Sequence, residues 1–286
     1  MENVREFKLI NEKGQEFSMM DLENYCLLTD PEGLGYSYTT TYEQVGNTFI
    51  ENLRKLEQGQ IIGTANFGKY ENYKKLVNFI EQSESLKFAY KVPLDSQIKQ
   101  YYKDVNIQSV PKSQKQTNGI ISETLTFDCL GLWYEQTTAT YDMSATDNEI
   151  RWDFSWDSMF IDYDTRRLSY VNAGHVEAPI EVEISGAVVN PSIELYVENE
   201  LYLKTSVNIT LTEYEKLLYG SKENKFYLLK ENEDGTQETL FKREYIDFES
   251  FEVIRIPKNK SCEIRLVADN DILNATVTIY CYYKAV

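Results

Sequence analysis

Hydrophobic and polar positions change their period within the first half of the chain. Tyr73, Leu76, Val77 and Ile80 fall at i, i+3, i+4 and i+7, with Lys74, Lys75, Asn78, Glu81 and Gln82 between and beyond them. That spacing predicts one amphipathic helix over about residues 70–83. From Leu86 the period becomes two: Leu86, Phe88, Tyr90 and Val92 alternate with Lys87, Ala89 and Lys91, a half-buried strand closed by Pro93. After a polar loop over 111–119, Leu125, Phe127 and Cys129 share one face while Thr124, Thr126 and Asp128 share the other. The run ends in Leu132, Trp133 and Tyr134.

Extended patterns flank this stretch on both sides. Residues 4–10 and 15–20 enclose Asn11-Glu12-Lys13-Gly14, with glycine where a left-handed residue is wanted, and read as an opening hairpin. Asp30-Pro31-Glu32-Gly33-Leu34-Gly35 reads as a tight loop, and residues 48–56 and 60–67 as two strands around Glu57-Gln58-Gly59. Strands, one helix and more strands predict a β-rich α+β domain over 1–140, with a boundary in the polar, threonine-rich stretch 135–148. From 141 to 286 nearly everything reads as short strands. Trp152, Phe154 and Trp156 alternate with Asp153, Ser155 and Asp157, and Ile180, Val182 and Ile184 with Glu181, Glu183 and Ser185. Further runs cover 193–197, 207–211, 225–229, 251–256, 262–267 and 275–283, which predicts a β-sandwich. The expected fold is thus mainly β, with a single helix.

Composition sharpens this picture. The chain has 22 Tyr against 13 Phe and 3 Trp, a choice that suits strands and wet contact surfaces. A net charge of −17 repels phosphates and anionic lipid heads, so neither nucleic acid nor membrane is an expected binding partner, although an acidic passage would let DNA slide through. No apolar run approaches the roughly 18 residues of a membrane helix, and charges occupy Met1–Ile10 where a signal peptide has its apolar core, so folding in a cytoplasm is expected. Cys26, Cys129, Cys262 and Cys281 lie far apart, three of them in apolar runs, and read as buried free thiols.

The chemistry-bearing residues are sparse. His175 is the one histidine, no Gly-x-Ser-x-Gly elbow accompanies it, and it reads as a strand-end or interface residue. With one histidine and no Cys-x-x-Cys there is no imidazole–thiolate metal set. Gly33-Leu34-Gly35 lacks the Lys-Ser/Thr and the following helix of a phosphate loop. Asp153 with Asp157, and Asp162 with Asp164, place carboxylates two or four residues apart near Trp152 and Trp156, the raw material of a glycosidase or a calcium site. The same spacing describes the solvent face of a strand in an acidic protein, and that reading is preferred. Asn208, Asn259 and Asn274 head glycosylation sequences that mean little without secretion. No catalytic, cofactor-binding or metal residue is assigned, which points to binding or assembly rather than catalysis.

The order of these elements resembles the distal tail proteins of phages and prophages, the Dit-like tail components of siphoviruses. The resemblance lies in Asp30–Gly35 after the opening hairpin, in Leu76-Val77-Asn78-Phe79-Ile80 followed by Leu86–Tyr90, and in Leu125–Cys129 with Trp133-Tyr134. In the second half it lies in Gly174-His175, Pro179–Val182, Gly186 to Ile193 and the last strand, Val277 to Val286. It implies a galectin-like or carbohydrate-module-like second domain. It also implies a hexameric ring at the virion tail tip, assembled in the bacterial cytoplasm. Such a ring joins the tail tube and tape measure proteins to a tail-associated lysin or to fibre and receptor-binding proteins, with DNA only passing through. Against smaller members of the family the chain has long stretches at 135–169 and 212–243, where Tyr214–Tyr219 reads as a short helix and Lys222–Asn232 as a hairpin. The alternative is a carbohydrate-binding β-sandwich protein acting alone, which predicts an exposed aromatic platform.

Overall fold

The computed structural model of the chain describes residues 5–21, 26–94, 97–113, 119–142, 161–162, 167–222, 225–246, 251–270 and 274–286. The fold is mainly β with one helix, and it divides into two compact units, Met1–Glu135 with Tyr283–Val286, and Gln136–Tyr282.

In chain order the first unit contains β1 (Glu6–Asn11), β2 (Glu16–Ser18), β3 (Met20–Asp21), β4 (Cys26–Glu32), β5 (Tyr38–Val45), β6 (Thr48–Leu56) and β7 (Gln60–Phe67). Then come α1 (Tyr70–Glu81), β8 (Leu86–Leu94), β9 (Gln97–Ser109), β10 (Ile121–Cys129) and the start of β11 (Trp133–Asp142). The pairings run in a closed circuit: β1 with β8, β8 with β9, β9 with β10, β10 with β7, β7 with β4, β4 with β3, and β2 with β1. The bent segment of β2 and β3 closes it at Met19, whose N–H donates to the Phe7 carbonyl at 2.9 Å and whose carbonyl accepts from Leu28 N–H at 2.7 Å. A closed circuit of this kind leaves no sheet edge open. Its interior is filled by Leu9, Phe67, Phe88, Leu125, Phe127 and Trp133, and α1 packs onto it through Tyr73 and Leu76.

The helix expected over 70–83 spans Tyr70–Glu81 and buries Tyr73 and Leu76. The opening hairpin forms around Gly14 at φ +73, and Asn11 caps the turn by accepting from the N–H groups of Lys13 and Gln15 at 3.1 and 2.8 Å. Two expectations need correction, and one strand was not anticipated. Asp30-Pro31-Glu32 is the end of β4 rather than loop, with the register shifting between Thr29 and Glu32 and Asp30 left-handed at φ +50. The strand over 48–56 does not pair with 60–67; it pairs with β5 through the turn at Gly46. The longest strand, β9, runs through a segment that carries no clear alternation, because buried Lys103 occupies a position on its apolar face.

The second unit takes in the rest of β11, followed by β12 (Ile161–Asp162), β13 (Arg167–Val171), β14 (Ala178–Ser185), β15 (Ser192–Val197) and β16 (Glu200–Ser206). It continues with β17 (Lys216–Gly220), β18 (Tyr227–Glu231), β19 (Gln237–Thr239), β20 (Arg255–Ile256), β21 (Ser261–Val267) and β22 (Asn274–Tyr283). One layer is ordered β19-β18-β17-β14-β22 and the other β12-β13-β21-β15-β16. Ile180, Val182, Leu217, Tyr219, Val277 and Ile279 of the first layer and Leu168, Ile193, Leu195, Ile264 and Leu266 of the second belong to one core. Alternating strands with one face inward make this a β-sandwich.

Here too the detail differs. Tyr214–Tyr219 is not a helix: β17 pairs with β14 over Lys216–Gly220, with Leu217 and Tyr219 buried in alternation. The expected 222–232 hairpin is one strand, β18, whose partners are β17 and β19. The runs over 207–211 and 251–256 shrink to a single bridge at Thr210 and to β20.

Candidate assembly surface

The segment that stands apart from both cores is the ribbon of β5 and β6. A two-stranded ribbon on its own is marginal in water. This one is secured at its root. The Glu57 carboxylate accepts from Ser37 Oγ at 2.6 Å and from Thr39 Oγ1, which together hold it below the usual carboxylate range. Glu57 N–H donates to the Ser37 carbonyl at 3.0 Å. Arg54 lies 4.0 Å from the centroid of the Tyr38 ring, and Lys284 donates to Tyr38 Oη at 2.7 Å.

Beyond the root the ribbon is bare. Every residue of β6 is exposed. The register pairs Tyr42 with Glu51 and Gln44 with Phe49 on one face, and Thr41 with Leu53, Glu43 with Ile50 and Val45 with Thr48 on the other. Tyr42 and Phe49 are 60% and 69% exposed on the first face, and Val45, Ile50 and Leu53 are 52%, 55% and 58% exposed on the second. A hairpin that lay on its own protein would be apolar on one side only. This one is apolar on both, and nothing among the described residues covers either. Within 38–56 the acids Glu43 and Glu51 are matched by Arg54 and Lys55, so the arm is neutral in a chain of net charge −17. Clusters of exposed apolar side chains of this kind mark interaction surfaces.

Beside the root, Gly33, Gly35, Tyr36, Ser37, Gln58, Gly59, Gln60 and Asp128 line an open depression of about 480 Å³. The glycine loop has a structural task there. Gly33 sits at φ +80, where an added Cβ would lie 1.7 Å from the Gln60 carbonyl oxygen, and the next carbonyl, Leu34, accepts from buried Trp133 Nε1 at 2.8 Å. The loop thus seats the barrel's largest side chain.

The residues singled out in sequence are scattered. His175 is exposed, and its N–H donates to the Tyr282 carbonyl at 2.7 Å. Asp153, Asp157 and Asp164, with Trp152 and Trp156, lie outside the described residues; Asp162 falls in β12, in register with Arg167. Among the described residues no group of three or more His, Cys, Asp or Glu side chains could hold a metal ion. All four cysteines are buried free thiols, and burial pushes Cys26 up to about 12 and Cys262 up to about 11. Sequence reasoning missed Lys103, which is 4% exposed with its ammonium 4.8 Å from the Trp133 ring centroid, and whose amine burial holds below the usual lysine range. It also missed the ribbon as an arm, although Val45-Gly46-Asn47 between two extended runs was the available signal.

Comparison with known proteins fits this geometry. The distal tail protein N-terminal domain family matches residues 6–130, the closed circuit together with its arm. The distal tail protein of Lactococcus phage SK1 is 30% identical over 145 residues, and that of Lactococcus phage p2 is 29% identical over the same length. Residues 6–130 belong to the distal tail protein family. The alignments cover 49% of this chain and 48% of each phage protein, so the chain spans about half the length of the curated relatives it matches. Distal tail proteins are virion structural proteins of the phage baseplate hub and sit at the tail tip, the location expected from the sequence. Over nearly its full length the chain shares its fold with a chain in the activated, calcium-bound baseplate of phage P2: TM-score 0.68, 18% identity, covering 99% of this chain and 100% of that one. The SPP1 Dit protein, described as a paradigm of the hub adsorption apparatus in phages infecting Gram-positive hosts, is similar with TM-score 0.54 and 11% identity, covering 96% and 98% of the two chains.

Proposed function

We propose that this distal tail protein works as a self-assembling hub. Copies close into a hexameric ring that joins the tail tube to the lysin, fibre or receptor-binding proteins of the tail tip and so supports host attachment. Its role is mechanical, with no catalysis and no cofactor, and DNA only passes through. The observation that carries this reading is the arm of β5 and β6, rooted firmly and apolar on both faces. The first unit's circuit offers no open edge, so an arm reaching a neighbour is its means of making a large contact. A contact between an arm and a different patch of the next copy is heterologous, and heterologous contacts build rings where the rotation between copies closes.

Light scattering across a range of concentrations tests it. The wild type is expected at six times the 33.4 kDa of one chain, and the triple variant Phe49→Ser, Ile50→Ser, Leu53→Ser at 33.4 kDa with unchanged circular dichroism. A wild type that stays monomeric at every concentration, or a variant that assembles like it, would sink the proposal.

A further inference from the structure

Of the charges at its ends, the helix α1 carries only one that suits its own dipole, Glu71 in the first turn. A helix is helped by acids at its N-terminus and bases at its C-terminus. Here the N-cap is Lys69, with no side-chain cap bond, and the last turn holds Glu81 and no base. Lys74 and Lys75 stand exposed on the second turn, and Lys112 joins them by donating to Tyr70 Oη at 3.1 Å, so two ammonium groups, those of Lys74 and Lys112, lie within 5.6 Å of the exposed Tyr70 ring centroid. Glu71 is one turn before Lys75, yet none of Lys74, Lys75 and Lys112 forms an ion pair with a carboxylate among the described residues. At the other end Glu81 and Glu84 are exposed and without cations, beside Glu12, whose carboxylate accepts the N–H groups of Glu84 and Ser85 at 3.0 and 3.3 Å.

Lys74 and Lys75 stand six or seven residues before Glu81, roughly 10 Å along the axis and about one screening length at physiological salt, and no ion pair joins them to Glu81 among the described residues. Three neighbouring lysines left without carboxylates are a conspicuous expense in a chain with 29 basic against 46 acidic residues. Charges that oppose the local rule belong at sites selected for something else.

We infer that the exposed face of α1 is a head-to-tail contact between copies of this chain, in which Lys74, Lys75 and Lys112 of one copy meet Glu81 and Glu84 of the next. The inference rests on the ring reading above and adds to the arm a charge contact that fixes direction. Charge complementarity selects a second copy: the two halves of the contact are opposite in sign, unequal in position and present on every chain. Such contacts steer encounter and set register more than they add affinity.

Two charge-reversed proteins test it: one with Lys74→Glu and Lys75→Glu, the other with Glu81→Lys and Glu84→Lys. Each alone is expected to need at least about tenfold higher concentration for half-assembly, because like charges then face each other. Mixed in equal amounts they should regain the wild-type mass, since acidic heads then meet basic tails around an alternating ring of even number. That recovery also excludes misfolding as the cause of the loss. Variants that assemble like wild type, or a mixture that fails to recover while the wild type assembles through its arm, would overturn the contact and leave the ring standing. A wild type that never assembles overturns both. Duplex DNA captured by the wild type and released by the lysine variant, with assembly unaltered, would reassign the lysines to DNA and overturn the contact as well.

Discussion

Replacing Gly33 by alanine should be among the most damaging small substitutions in the first unit, for two separable reasons. The residue sits at φ +80, a region that costs an L-residue about 1–2 kcal/mol. The new Cβ would also lie 1.7 Å from the Gln60 carbonyl oxygen and 2.9 Å from its carbon, and these are backbone atoms at the start of β7 that cannot swing aside. Forcing that strand back adds about 1–3 kcal/mol of overpacking, for a total of roughly 2–5 kcal/mol. Two other glycines separate the contributions. Gly46 has φ +64 with nothing within 4 Å of an added Cβ, so Gly46→Ala should cost only the backbone term, and Gly35, with open space and no positive φ, should cost close to nothing. Urea unfolding of the three variants followed by tryptophan fluorescence gives the order directly, because Trp133 hangs from the loop through its bond to Leu34. A Gly33→Ala cost below about 1 kcal/mol, or one no larger than that of Gly46→Ala, would refute the close-approach argument.

Further predictions concern buried titratable groups and the helix cap. Burial holds the Cys26 thiol at about 12 in the folded state against 9.0 in the open chain, so folding retains a proton that the unfolded chain gives up. Stability should therefore fall as pH rises from 9 toward 12, and Cys26→Ala, though less stable at pH 8, should show a shallower fall by up to about 1.4 kcal/mol per pH unit in denaturant titrations. Lys103 has the opposite sign: its folded amine binds a proton less tightly than the unfolded chain's 10.5, so it destabilises at low pH and the penalty lifts as pH rises toward 10.5. Lys103→Met should then equal or exceed wild-type stability at pH 7 and lose that advantage at pH 10.5, as read from the same titrations. Lys69→Asp, which supplies α1 with the N-cap acceptor it lacks, should raise stability by about 0.5–1 kcal/mol in thermal unfolding.

Legibility in the sequence followed burial. Strands with one wet face, such as β8, β10 and β14, were readable because their alternation is the imprint of that asymmetry, and α1 was readable for the same reason at a period of 3.6. β9 was not, because Lys103 is buried where the pattern demands an apolar residue and pays its way through the Trp133 ring. Tyr214–Tyr219 misled through composition: Glu, Lys and Leu favour helix, but pairing with β14 overrides a weak local preference. β16 escaped notice because Leu201 and Tyr202 are both exposed, so it shows no alternation at its outer end. The arm is the extreme of this effect. Its two apolar faces carry no imprint of the fold they belong to, since among the described residues nothing covers them.

That same property gives the arm its meaning. The closed circuit pairs its own strands on both sides and so leaves the first unit only the ribbon of β5 and β6 for the ordinary route to self-association, the pairing of one exposed edge with another. In the proposed hub, association is built from something outside the circuit, and β5 and β6 are the piece proposed for it: rooted by Glu57 and Tyr38, neutral where the chain is acidic, and apolar on both faces. A one-faced arm would fit by lying flat on a neighbour. A two-faced arm gains its full burial only when held between two surfaces, about 25 cal/mol for each Å² covered. Its stabilisation is therefore complete only once both surfaces have arrived.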